Sequence, residues 1–180
     1  AGPPAIAYAT AAGERKQVVL ADGTTIALNG DTRLLVRYDR RRTVTMEHGE
    51  ALFDVRHNAA RPFEVVVGNV HLVDEGTVFN VQSGADVLDV AVADGVVLYR
   101  NGGPELRLAR GDGLLRTSAD AAPRRYSVTT SQVGGWRDGN LYYSDAPLTR
   151  VGADLRRYLG VKLIVDSSLR RQSFTGTLVV

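Results

Sequence analysis

Three histidines, His48, His57 and His71, are the side chains of this sequence best suited to proton transfer or metal binding near neutral pH. They fall on different expected elements, with no H-E-x-x-H or other ligand spacing, and read as isolated turn or surface residues. Asp54 could pair with His57, and His48 and Glu50 flank Gly49. No serine stands in a G-x-S-x-G elbow, so a nucleophilic triad lacks its nucleophile. Asp74, Glu75 and Asp86 could supply an acid and a base of the kind glycosidases use, but no aromatic-rich sugar platform accompanies them, and solvated loops account for them better. The glycines of "RGDGLL" and "DGNLYY" form neither a G-x-G-x-x-G fingerprint nor a phosphate loop, and read as turn glycines. No catalytic residue, metal ligand or cofactor is expected from these patterns.

One stretch gathers polar side chains between two strand-like ends: "GEALFDVRHNAARPFEVVV" (49–67), with Arg56, His57, Asn58, Arg61 and Pro62 at its centre. Pro62 lacks the N–H that a mid-strand ladder needs, so the set reads as a corner that delivers Phe63 to the core. Arg61 could pair there with Glu50 or Asp54. Further on, Trp136, Tyr142 and Tyr143 lie close together, where they could anchor a partner or seal a seam between two parts of the chain.

The elements that must position these residues follow from composition and periodicity. The 180 residues are 44% hydrophobic and 23% charged, enough for one sizeable domain or two small ones, and no stretch approaches the roughly 20 apolar residues of a membrane helix. The 22 basic residues are scattered among 20 acidic ones for a net charge of +2, which argues against a nucleic-acid partner. The absence of cysteine excludes disulfides and thiolate chemistry in either redox compartment. The opening "AGPPAIAYAT" carries neither an initiator methionine nor a targeting pattern, as expected of a processed chain or a segment of a longer protein.

From residue 5 to about 129, short β-branched runs alternate with turns at Asp22-Gly23, Asn29-Gly30, Asp94-Gly95 and Asn101-Gly102, which predicts about a dozen mainly antiparallel strands. Val44 and Met46 share one face; Leu88, Val90 and Val92 oppose Val87, Asp89, Ala91 and Ala93. An antiparallel β-sandwich and an irregular β-solenoid both fit this pattern. Residues 118–136, rich in Ala, Ser, Thr, Gly and Pro and almost free of large apolar side chains, place a boundary near 130, with 130–139 read as a linker after an all-β domain over 1–129. Beyond them the period changes. "NLYYSDAPLTRVGADLRRYLG" predicts a strand, an N-cap at Asp145, Pro147 in the first turn and a helix ending at Gly160. Leu148, Val151, Leu155, Tyr158 and Leu159 form its apolar stripe, with Arg150, Asp154 and Arg157 on the other side. "VKLIVD" and "SFTGTLVV" read as strands, making 140–180 a β-α-β-β unit and the whole chain α+β, mainly β.

The ordered motifs "LADGTTIALNGDTRLLVRY", "MEHGEALFDVRHNAARPFEV", "EGTVFNV" and "VAVADGVVLYR" resemble those of FecR-family sigma factor regulators over residues 18–115. The pattern is carried by Asp22-Gly23, Gly49 to Val55, Arg61 to Val65, Gly76 to Val81 and Asp94 to Val97. The tail, with Trp136, Gly139-Asn140-Leu141, Ala146-Pro147-Leu148, Arg157-Tyr158 and Phe174-Thr175-Gly176, is similar to the STN domains of secretins and TonB-dependent transducers. Family members often continue past this point with another helix and strand.

The resemblance implies a periplasmic receiver rather than an enzyme. A preceding helix would cross the inner membrane, a cytoplasmic region would hold an extracytoplasmic-function sigma factor, and the β-α-β-β unit would bind the signalling domain of a TonB-dependent siderophore transducer. The expected contact residues are Tyr142 and Tyr143, the helix residues Arg150, Asp154 and Arg157, read as exposed, and Phe174, Thr175 and Leu178 on the terminal strands; internal packing is the equal alternative for each. An envelope-binding module that recognises a glycan or a protein is the alternative.

Overall fold

The computed structural model describes residues 4–74, 76–84 and 87–180; Glu75 and Asp86 of the carboxylate set lie outside the described residues. The alternating runs become thirteen strands before residue 128: β1 (Ile6–Thr10), β2 (Lys16–Val19), β3 (Thr25–Leu28), β4 (Thr32–Tyr38), β5 (Arg42–Asp54), β6 (Phe63–Val67), β7 (Val70–Asp74), β8 (Val78–Gly84), β9 (Val87–Asp94), β10 (Val96–Arg100), β11 (Leu106–Ala109), β12 (Asp112–Arg116) and β13 (Arg124–Ser127). They form one sheet that doubles over into two layers. The first layer runs β1-β4-β5-β6-β7-β10-β11 and the second β2-β3-β5-β8-β9-β12-β13, so β5 belongs to both. The two-layer alternative holds, and among the described residues no coil stacks on the next as in a solenoid.

β5 changes layer at Gly49, whose φ of 109° is open to glycine, while a side chain there would collide with Thr32. Residues 42–48 pair with β4, and residues 49–54 pair with β3 and β8. The chain must then return to the first layer, and it re-enters beside the start of β5 running the same way, with Arg42 opposite Phe63. This β5–β6 pair is parallel, against the antiparallel default, because the long strand ends in the opposite layer from its beginning.

The return loop is the Arg56–Pro62 stretch, and it is scaffold. Arg42, 1% exposed, donates from Nη1 to Asp22 (2.8 Å) and to the Arg56 carbonyl (2.8 Å), and from Nε to the Arg61 carbonyl (2.6 Å). Arg61 does not pair with Glu50 or Asp54; its guanidinium donates to the Asp39 carbonyl at 2.6 Å. Phe63 is fully buried and meets Phe53 in a tilted contact at 6.0 Å, and Phe53 stacks on Phe79 at 5.2 Å. Around them Ile26, Leu34, Val44, Met46, Leu72, Val90 and Val97 fill the space between the layers.

Of the four expected hairpin turns, Asp22-Gly23 and Asn101-Gly102 join paired neighbours. Asn29-Gly30 and Asp94-Gly95 instead carry the chain from the second layer to the first, from β3 to β4 and from β9 to β10.

Residues 130–139 form two short 3-10 helices, Thr130–Gln132 and Gly135–Asp138, that bury Val133 and Trp136 against the sandwich. A small unit follows: β14 (Asn140–Pro147), α1 (Leu148–Leu159) and β15 (Ser173–Val179), with β14 and β15 antiparallel. Pro147, not Asp145, occupies the position before α1. Asp145 sits at the irregularity in β14 with φ 49°, its N–H donating to Thr175 and its carboxylate accepting from Ser173. Gly160 ends the helix in the left-handed conformation expected. "VKLIVD" is not a strand: β14 and β15 pair with each other, and 161–166 runs over the helix, where a methyl group on Gly152 would touch Leu163. The unit is therefore β-α-β among the described residues.

Candidate functional site

The outer face of the second layer is striped, and the stripes decide what lies on it. Ladder register places Glu50 of β5, Gln82 of β8 and Asp89 of β9 in one row, and Leu52, Asn80 and Ala91 in the next. The small unit covers both. Trp136, Leu141 and Tyr158 pack on Leu52, with Ala27, Ala91 and Leu155 at the margin. Arg150, Asp154 and Arg157, spaced to share one side of α1, lie on the polar row. The side chains of Asp154 and Arg157 are each 11% exposed. Their expected exposure is thus corrected: the helix buries a polar stripe beside its apolar one, because the sheet beneath offers polar partners.

The contacts form a continuous network. Gln82 donates to Asp154 Oδ1 at 2.5 Å and accepts from Arg150, which also pairs with Asp89. Arg157 and the Tyr143 hydroxyl donate to Asp154 at 2.9 and 3.1 Å, and the Tyr126 hydroxyl donates to Asp89 at 2.5 Å. Glu50, deepest in the row, accepts from the Asn29 and Asn80 amides at 2.9 and 3.0 Å. Asn80 in turn accepts from the Trp136 indole at 2.9 Å. At the end of α1, the Arg157 carbonyl accepts from Gly13 N–H at 2.9 Å, and Arg15 lies 4.3 Å over the Tyr158 ring.

Burial sets the electrostatics of this seam. It pushes the Glu50 carboxyl above the ordinary range, helped by the charge of Asp154. It also raises Asp154, against the opposing pull of Arg157 and Arg150. Tyr143 and Tyr126 are pushed up by burial and then by the carboxylates they face. For Arg150, burial acts downward, but Asp89 and Asp154 outweigh it and hold the guanidinium firmly charged. Fixed dipoles and paired charges arranged this way bind one surface to another; none of these groups faces an activated nucleophile.

Beside the network a cleft of about 540 Å³ opens between β13 and the β14–β15 pair. Five of the expected contact residues line it: Tyr142, Tyr143, Arg150, Asp154 and Thr175. Arg157 lies deeper in the seam; Phe174 meets Tyr143 edge-on at 5.8 Å, and Leu178 packs against the Trp136 cluster. Tyr142 and Thr175 are exposed. Asn80, Gln82, Asp89 and Tyr126 complete the site but were not singled out from the sequence, and Glu50 was considered there only beside His48 and as a partner of Arg61. Their signal was a run of polar residues at the outward positions of neighbouring strands, which alternation alone assigns to solvent.

The family model described as FecR protein matches residues 6–98, just over half of the chain. The chain belongs to the FecR family. The matched residues end within β10, so in this FecR-family chain the small unit lies beyond them. Structural likeness spans both parts: two crystal structures of a candidate anti-sigma factor from Parabacteroides distasonis ATCC 8503 share its fold with a TM-score of 0.89 at 26% identity. They cover 96% and 97% of the FecR-family chain, and 84% of the other chain in each case. No match was found among curated proteins.

Proposed function

We propose that this chain is the signal-receiving part of a transmembrane sigma factor regulator, that it works in the periplasm, and that its β14–α1–β15 unit binds the signalling domain of a TonB-dependent outer-membrane transducer. FecR-family membership and the likeness to a candidate anti-sigma factor support the regulatory role. No helix among the described residues is long and apolar enough to cross a membrane; in this reading the anchoring helix and the sigma-binding region precede residue 1.

The observation that carries the receiving role is the free ladder of the small unit. β14 and β15 pair only with each other among the described residues, so each has an outer edge along which no other strand pairs. A two-stranded sheet is marginal alone, and a strand added by a partner would extend it while side chains set the specificity. Tyr142 and Thr175 are exposed on those strands, and Val161, Leu163 and Ile164 present apolar surface on the segment that runs over α1. A glycan-binding reading is less well supported, because Trp136 is 4% exposed with its indole N–H taken by Asn80 and so presents no ring face to a sugar.

The test is calorimetric titration of the chain with periplasmic signalling domains of transducers from the same cell. One domain should bind, and Thr175→Pro or Tyr142→Asp should weaken that binding at least about tenfold, the scale of a lost contact at an interface centre. Equal binding by all three proteins would place the contact elsewhere. No binding by any signalling domain would remove the transducer from the reading.

A further inference from the structure

The charges buried in the seam do not balance. Asp89 is paired with Arg150, and Asp154 with Arg157 at 2.9 Å. Glu50 accepts only from the neutral amides of Asn29 and Asn80. Among the described residues, three seam carboxylates thus meet two guanidinium groups, and Glu50 is the carboxyl with no cation at hydrogen-bonding distance. A buried carboxyl in that position favours binding a proton over standing charged.

We propose that Glu50 makes the seam a proton-linked latch: docking of the β14–α1–β15 unit on the second layer takes up one proton at the Glu50–Asp154 pair, and release of the unit returns it to solvent. The groups that face the pair come from every element packed there. They are Asn29 after β3, Asn80 and Gln82 of β8, Asp89 of β9 with its partners Arg150 and Tyr126, Tyr143 of β14, and Arg157 of α1. Arg124 adds its charge from β13 beside Tyr126.

The sign follows from the docked state. Both carboxyls are raised, Glu50 by burial and then by Asp154, and Asp154 by burial despite Arg157 and Arg150. A group raised on docking contributes its full stabilisation below its undocked value and loses it as pH rises through the docked one. The latch therefore holds in acid and loosens from the ordinary carboxylate range upward.

The chain carries its own reporter, a single tryptophan. Asn80 Oδ1 accepts from Trp136, so the Asn80 amide N–H is turned to Glu50, and a change at the carboxylate reaches the indole through one side chain. The inference concerns the seam alone, and a failed titration with transducer domains leaves it standing.

The experiment uses the full chain between about pH 4.5 and about pH 9, a range that starts near the ordinary glutamate value. Two signals are followed: the carbon-13 shift of the Glu50 carboxyl and the emission of Trp136. The carboxyl should titrate above the ordinary range, with a red shift of the emission as the proton leaves. Glu50→Gln should remove the pH dependence of the emission. Asp154→Asn should move the midpoint to lower pH, because it removes the repelling charge and frees Arg157 for Glu50. An ordinary or depressed Glu50 midpoint overturns the proposal, as does Glu50→Gln emission that follows pH like the wild type. Should Glu50→Gln fail to fold, the carboxyl shift of the unmodified chain decides by itself.

Discussion

Arg42 and Glu50 sit on the same strand, one in each layer, and show two ways to bury an ionisable group. Arg42 ties the β2–β3 turn to both ends of the return loop through Asp22 and the carbonyls of Arg56 and Arg61, and stands 5.8 Å from the Phe63 ring. Truncation would leave the Arg56 and Arg61 carbonyls without this donor, while Asp22 keeps those of Thr24 and Tyr38. Arg42→Ala is expected to cost about 1–3 kcal/mol in urea unfolding, the scale of leaving a buried acceptor without its donor. Arg42→Lys should recover little of it, since an ammonium cannot span three acceptors set around a planar fork. Asp22 adds a pH dependence. Burial acts to raise its carboxyl, but hydrogen bonds from Arg42, the Thr24 backbone and Tyr38 outweigh it and hold the group below the ordinary value. Its stabilisation is therefore present above the ordinary carboxylate range and lost as pH falls through the folded value. The stability difference between wild type and Asp22→Asn should shrink as the solution is taken below about pH 4, the unperturbed aspartate value. A difference that stays constant to lower pH would show that the Asp22–Arg42 contact is not the linked one.

At the scale of elements, the meeting of α1 with the β3–β4 connection determines how the small unit sits. A side-chain carbon on Gly30 would lie 1.9 Å from the Arg157 carbonyl oxygen. Gly30→Ala should therefore lift the end of α1 and red-shift Trp136 emission, while the sandwich core is untouched. Unfolding of the β8–β9 region in urea should keep its midpoint; a shifted midpoint would mean that the seam and the sandwich unfold together. The strands around this contact were legible from the alternation of Leu34 and Val36 in β4, Phe79 and Val81 in β8, and Leu88, Val90 and Val92 in β9, and α1 was legible from Leu148, Val151, Leu155 and Tyr158. What alternation cannot tell is whether an outward residue meets water or another element. Asn80, Gln82 and Asp89 face outward on their strands, as Arg150, Asp154 and Arg157 do on the helix, and only the docked arrangement brings the two polar stripes together. The same limit hid the layer change of β5: Gly49 reads as a turn glycine, but the strand passes through it. "VKLIVD" has the composition of a strand without a neighbour to pair with, and pairing is a tertiary property that composition does not carry.

For the whole molecule, these placements give two bodies of unequal cohesion. The sandwich is closed around an apolar core, with each layer supporting the other. The small unit has two strands and one helix, and attaches through a modest apolar cluster beside a polar row. Its opening is expected to precede global unfolding, since a region with few buried apolar contacts opens at a lower free energy than the core it leans on. The two carboxylate systems also tune the bodies in opposite directions, Asp22 weakening the sandwich in acid and Glu50 loosening the seam as pH rises. Native-state hydrogen exchange resolves both. Amides of β14, α1 and β15 should exchange through a common opening at lower free energy than those of β8 and β9. Corrected for intrinsic rates, their protection should fall with rising pH while that of β8 and β9 does not. Such a unit could present its free strand edges, and the residues now covered by the second layer, without disturbing the sandwich. Equal protection in the two bodies at every pH would mean that the chain opens only as a whole, and a partner would then have to bind the edges of β14 and β15 with the seam closed.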